Sequence, residues 1–277
     1  MEKFIMADGC ATRVRDNRGE EPAIVLLHGY LESIEVWDEF IPLLSPPFRV
    51  VAPDLPGHGI SEVKGKVHSM EFEADVVHSV LTGLGVKRCC VVGHSMGGYV
   101  ALEFLRKYPE MLSGIILLHS TPNPDSETKR EQRQREIELV EAGRKDLLAR
   151  MTPDKGFAAE NRSRMAGRIG ELADQILLTE DEGITALLRG MCGRADANGT
   201  LRDSPVPQLF ILGRGDEYIT APVAEKMIAG HPQARVAWME HSGHMSFLEE
   251  PEKCAEIIRT FVRETGGIRT DSASGQK

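Results

Sequence analysis

Short apolar runs alternate with longer stretches of helical spacing along most of this chain. The first two runs, residues 2–7 and 10–15, flank Asp8-Gly9. That dipeptide suits the positive φ angles of a two-residue hairpin, so the pattern predicts an antiparallel opening pair. Residues 23–27 are apolar throughout and stop at His28-Gly29. A run with no polar alternation suits a strand covered on both faces, as in a parallel sheet. The same signature returns at 49–52, 89–92, 115–118 and 208–212, and more weakly at 234–239.

Between these runs the spacing predicts amphipathic helices over 33–44, 70–84, 96–108, 221–230 and 247–264. Strand alternating with helix is the pattern of an open, doubly wound α/β sheet. One interval breaks the rhythm. Residues 121–205 hold no strand-like run but carry helical patterns near 127–150, 160–178 and 181–192. A helical excursion of that length reads as a cap or lid. The expected organisation is a core of residues 1–120 and 206–265, a helical cap over 121–205 inserted after the strand at 114–119, and a disordered tail at 266–277. No internal repeat is present.

Composition narrows the partners. The net charge of −9 comes without a cationic cluster, which argues against nucleic acid and fits a small-molecule substrate. Residues 121–205 contain 14 Lys and Arg against 16 Asp and Glu, so no cationic clamp for anionic substrates is expected there. Nothing approaches the roughly 18 consecutive apolar residues of a membrane helix, and the start lacks the apolar run of a signal peptide. Cys10, Cys89, Cys90, Cys192 and Cys254 have no spaced framework and read as free thiols, so a cytoplasmic location is expected.

The candidate chemistry begins at Gly93-His94-Ser95-Met96-Gly97-Gly98, between an apolar strand and a helix. A sharp strand-to-helix turn holds a nucleophile in strained backbone and needs small residues two positions either side, where Gly93 and Gly97 stand. A phosphate-binding loop would want a Lys here, and none is present. A serine needs a base. Of nine histidines, His28 and His94 adjoin turns, His58 lies in a tight loop, His119 ends a strand, and His68, His78 and His231 look like surface positions. His241 and His244 remain. Ser246 with Glu249 makes a capping box, which places His244 on the loop before the last helix, and His244 is preferred. The base needs an orienting carboxylate. Asp216 follows the strand at 208–212, ahead of Glu217 and the more distant Asp125. Backbone N–H groups of Met96 and Tyr30, with Leu31 in reserve, are placed to hold an oxyanion.

His28-Gly29-Tyr30 with Trp37, Asp54-Leu55-Pro56-Gly57-His58-Gly59 with Ser61, the Ser95 turn, Gly213 to Asp216, and Ser242-Gly243-His244 together resemble the α/β-hydrolase superfamily, in its order and over nearly the whole chain. Within it, the sequence is similar to cap-bearing bacterial hydrolases: esterases, enol-lactonases and carbon–carbon hydrolases. The resemblance implies the α/β-hydrolase fold, with a mostly parallel central sheet, antiparallel N-terminal strands and flanking helices. It also implies a Ser95, Asp216, His244 triad, in the chain order of this fold. The implied reaction is hydrolysis of a small-molecule ester, lactone or thioester through an acyl-enzyme. Carbon–carbon cleavage, acyl transfer or peracid formation, and a slow-turnover ligand receptor share the same triad. Epoxide hydrolases and dehalogenases are set aside because they carry Asp where Ser95 stands, and the absence of a multi-glycine oxyanion stretch speaks against long-chain lipase activity. No metal or organic cofactor is expected. The pocket is expected to be aliphatic and roofed by the cap, drawing on His28, His94, His119, Met151 and Met191, with Met165 a further candidate.

Overall fold

The computed structural model describes residues 1–266; the remainder of the expected tail lies outside the described residues. Eight strands form one sheet: β1 (Glu2–Ala7), β2 (Cys10–Asp16), β3 (Glu20–Leu27), β4 (Phe48–Pro53), β5 (Cys89–His94), β6 (Leu112–Leu118), β7 (Gln208–Gly213) and β8 (Arg235–Met239). Their order is β1-β2-β4-β3-β5-β6-β7-β8. β1 and β2 pair antiparallel across Asp8-Gly9 with Ala7 opposite Cys10, and β2 pairs antiparallel with β4. From β4 onward every neighbouring pair is parallel. The hairpin forms because Asp8 and Gly9 both adopt positive φ, 48° and 71°.

The inner parallel strands β3 to β7 are buried on both faces, which explains their apolar runs, whereas the edge strand β8 is only half-buried. Ala23, Val25 and Leu27 of β3 join one core cluster with Val91, Ile115 and Leu117, while Ile24 and Leu26 join a second with Val92, Ile116 and Leu118. The eleven helices among the described residues are α1 (Ile41–Leu44), α2 (Met70–Gly83), α3 (Met96–Lys107), α4 (Glu127–Glu141), α5 (Lys145–Gly156), α6 (Ala166–Leu178), α7 (Asp181–Cys192), α8 (Asn198–Asp203), α9 (Ala221–Gly230), α10 (Ser246–Glu249) and α11 (Pro251–Thr265). α2, α3 and α9 supply the first cluster; α1 and α11 supply the second, where the Trp37 and Phe247 rings meet at 4.4 Å. Fully burying such a side chain contributes about 1.5–3 kcal/mol. α4 to α8 all fall between β6 and β7. No helix among the described residues is long and apolar enough to cross a membrane.

Three helices expected to be continuous are broken, each for a local reason. Over 33–44 there is only a 3-10 turn at Ile34–Trp37 followed by α1. Asp54 Oδ1 takes the Ile34 N–H at 2.7 Å, and Pro42 has no N–H with which to extend a helix from Asp38. The stretch 127–150 divides at Gly143, whose φ of +71° ends α4. Gly143 and Arg144 donate back to Val140 and Leu139, a glycine-based helix stop. Pro251 separates α10 from α11. His68 and His231 are buried rather than at the surface; His68 lies 3.4 Å from the equally buried Glu73.

Candidate active site

The C-terminal ends of the parallel strands converge on one edge of the sheet. Tyr30 follows β3, Ser95 follows β5, His119 follows β6, Asp216 follows β7 and His244 follows β8. Ser95 occupies the turn between β5 and α3 with φ 49° and ψ −113°, strained backbone for a residue with a side chain. The surroundings explain the neighbouring glycines. A Cβ on Gly97 would stand 2.3 Å from the Leu27 carbonyl oxygen, and one on Gly93 would stand 2.4 Å from that of Gly97. Ser95 N–H donates to the Leu118 carbonyl and its own carbonyl accepts from Ser120 Oγ at 2.6 Å, so the turn is held from both sides. Its side chain is left half-buried and reachable.

His244 Nδ1 donates to Asp216 Oδ2 at 2.8 Å. The other carboxylate oxygen accepts from the Tyr218 and Ile219 N–H groups at 2.7 and 2.9 Å. Burial alone would raise the Asp216 carboxyl, but His244 and His119 outweigh it and hold it well below the usual carboxylate range. Asp216 is therefore an anion with four donors on it. The Ser95 hydroxyl makes no hydrogen bond among the described residues; serine–imidazole bonds are commonly long until substrate is bound.

Two carboxylates tie the site to its frame. Glu32 accepts from the Gly29 N–H at 2.6 Å and lies 3.0 Å from His94 Nδ1, while His94 Nε2 donates to the His244 carbonyl at 3.0 Å. The loop after β3 and the loop after β8 are thereby joined through His94. Glu249 does not cap a helix. Its carboxylate accepts from the Gly243 N–H (2.7 Å), the Ala158 N–H and Asn161 Nδ2 (both 2.8 Å). Ser246 is likewise inside α10 instead of capping it, because its hydroxyl is engaged by His119 Nε2 at 2.7 Å. The capping-box expectation thus fails because both side chains serve the loop that carries His244.

Of the other expected residues, His94 and His119 lie beside His244, with ring centroids 5.0 and 5.6 Å away, and the rest lie apart. His28 is fully buried, with Nδ1 donating to the Gly29 carbonyl and Nε2 accepting from the Leu55 N–H, so it braces the ends of β3 and β4 and keeps no nitrogen for a ligand. His94 and His119 are similarly enclosed with both nitrogens engaged. Met151 is 71% exposed, in solvent and not under a roof, whereas Met191 at 1% packs in the core. Met165 is half-buried against the second cluster. Glu217 pairs with Arg162, and Asp125 pairs with Arg133 and Arg194, which removes both from contention for orienting the base. His119, Asp216 and His244 place ligand-type atoms within 4.8 Å of one another. Both Nδ1 atoms point their protons at Asp216, so this set is spent on hydrogen bonds rather than on lone pairs facing an ion. Tyr30 and Leu31 N–H groups find no acceptor among the described residues, and Met96 opens α3, where helix N–H groups lack intrahelical partners.

Relatives share this arrangement of chain. A pimeloyl-acyl-carrier-protein methyl ester esterase of Aeromonas hydrophila is 28% identical over 252 residues, spanning 88% of this chain and 96% of its own. An esterase from Thermogutta terrifontis superposes with a TM-score of 0.90 at 28% identity, over 96% of this chain and 99% of the other. The enol-lactonase from Burkholderia xenovorans LB400 superposes at 0.86 with 21% identity, over 94% and 99% of the two chains, a likeness of fold. The model of the alpha/beta hydrolase family matches residues 24–257, and this chain belongs to that family.

Proposed function

We propose that the protein is a serine hydrolase that cleaves a small-molecule carboxylic ester through an acyl-enzyme on Ser95. The observation that carries this reading is the 2.8 Å Asp216–His244 bond on the sheet edge where Ser95 stands in a strained turn. Ser95 Oγ attacks the carbonyl carbon as His244 Nε2 takes its proton. The Met96 and Tyr30 N–H groups stabilise the oxyanion. Collapse expels the alcohol, which takes the proton from His244. Water then attacks the acyl-enzyme by the same route in reverse and releases the acid. Asp216 holds Nδ1–H in place and offsets the charge that develops on the ring. The helices between β6 and β7 serve as the cap. An esterase is favoured within the family by the esterase names of relatives 28% identical to this chain.

Hydrolysis of short p-nitrophenyl esters by wild type and by Ser95→Ala, Asp216→Ala and His244→Ala tests the assignment. Each variant is expected to lose about 10³–10⁶ in turnover while remaining folded. A fluorophosphonate probe should label Ser95 in wild type. Failure to label it overturns the reading.

A further inference from the structure

The totals of charge in the insertion conceal where the charges lie. Tyr218 packs its ring 4.8 Å from the ring of His244, centroid to centroid. Over the same tyrosine stand two ammonium groups, Lys129 Nζ of α4 at 5.8 Å and Lys155 Nζ of α5 at 5.6 Å. Neither has a carboxylate within 4.0 Å among the described residues. Of the nearby acids, Asp125 is shared by Arg133 and Arg194, and Glu217 and Asp154 are both taken by Arg162. Glu136 accepts only from the neutral amide of Gln132, whose oxygen accepts from Lys129 Nζ at 3.2 Å, so its charge partly offsets that of Lys129. A second feature lies on the β3 loop. The hydroxyl of Tyr30 is buried with no hydrogen-bond partner.

We propose that Lys129 and Lys155 form an anion-recognition subsite beside Tyr218, selecting esters that carry a second, ionised carboxylate away from the scissile carbonyl. The proposal rests on the Ser95–His244–Asp216 reading and adds its substrate class. Burial, together with Arg133 and Lys155, pushes the Lys129 ammonium down from its usual range despite the opposing charges of Glu136 and Asp125, so a bound anion would add to an attraction that the fold supplies only in part. Burial, with the Glu136 charge beside it, pushes the Tyr30 phenol well above its ordinary range, so its hydroxyl stays a donor.

The test compares ethyl hydrogen adipate with ethyl hexanoate, matched in chain length, by titrating the acid released. Wild type should favour the charged ester by about 10-fold in kcat/KM, with the preference shrinking as salt rises. In Lys129→Met/Lys155→Met, which keeps the apolar stems, the preference should vanish. The hexanoate ester of 4-hydroxybutyrate places the charge on the alcohol side and tells which half of the ester meets the lysines. Equal or reversed preference in wild type for both charged esters overturns the subsite and leaves the acyl-enzyme reading standing. So does a preference that survives the double substitution. If neither length-matched ester turns over, protection of Ser95 from fluorophosphonate by ethyl hydrogen adipate, but not by ethyl hexanoate, decides in its favour, and equal protection decides against it. If Ser95 is never labelled, the acyl-enzyme reading fails and the subsite falls with it.

Discussion

His119 donates Nδ1–H to the same Asp216 oxygen that receives His244, at 3.3 Å against 2.8 Å. Its other nitrogen accepts from Ser246 Oγ, which fixes the tautomer that makes the first bond possible. Burial pushes His119 down to about 4 despite the carboxylate beside it, so it stays neutral through the physiological range. His119 is thus a positioning residue for the carboxylate rather than a second base. Replacing it with Ala leaves Asp216 one donor poorer and concentrates its charge on His244. The expected outcome is a fall of about 10-fold in kcat/KM together with an acidic limb displaced to higher pH. A uniform loss at every pH, with the limb unmoved, would mean that His119 only fills space.

Acid should destabilise the fold before carboxylate protonation begins. His119 is lowered to about 4 and His58 to about 3, both by burial, against 6.5 for a free imidazole. The folded state binds fewer protons than the unfolded state between each lowered value and 6.5, so their contribution is present above pH 6.5 and is lost as pH falls through that window. Glu73, raised by burial to about 7, works in the opposite sense between 4.5 and 7 and cancels part of the slope. His119 alone contributes on the order of 3 kcal/mol across its window. Thermal midpoints measured from pH 6.5 to 4.5 should fall in wild type, and fall less steeply in His119→Asn, whose side chain takes up no proton.

The sheet and the site were legible in the sequence to very different depths. β5 and α3 could be placed because an apolar run, two spaced glycines and a helical pattern coincide around Ser95, each imposed by the same tight turn. The preference for His244 rests on a capping box that does not form, although the residue does lie on the loop between β8 and α10, whereas Asp216 could be placed because it follows an apolar strand at the ligand-binding edge. The roles of Ser246 and Glu249 could not, since a local spacing that fits a capping box is equally compatible with side chains turned toward His119 and Gly243. His28 and His94 show the same limit: their partners, Leu55 and Glu32, are brought near only by the fold. Charge totals were the least informative guide. Fourteen bases against 16 acids between 121 and 205 say nothing about Lys129 and Lys155 sharing one tyrosine. The break at Gly143 was open to recognition, because a glycine followed by a basic residue is an ordinary helix stop.

Glu249 should matter more to the reaction than its distance from the serine in sequence suggests. Its carboxylate is buried and accepts from the backbone of Gly243, next to His244, and from Ala158 and Asn161, on the segment after α5. The His244 N–H in turn donates to the Gly156 carbonyl at 2.8 Å, so the loop that carries His244 and the end of α5 are fastened twice. Replacing Glu249 with Ala strands two buried N–H groups and the Asn161 amide, a loss of about 2–4 kcal/mol on the usual penalty for unmade buried bonds. Gln keeps an accepting oxygen but turns an NH₂ toward donors, so it should recover only part of that stability. Thermal unfolding of both variants checks the order Ala below Gln below wild type. Turnover of short esters at a temperature where all three are folded checks the second consequence. Because the loop holding His244 is loosened, kcat should fall by about 10-fold or more in Glu249→Ala. An Ala variant that melts early yet turns over at the wild-type rate would confine Glu249 to stability and detach the α5 end from the positioning of His244.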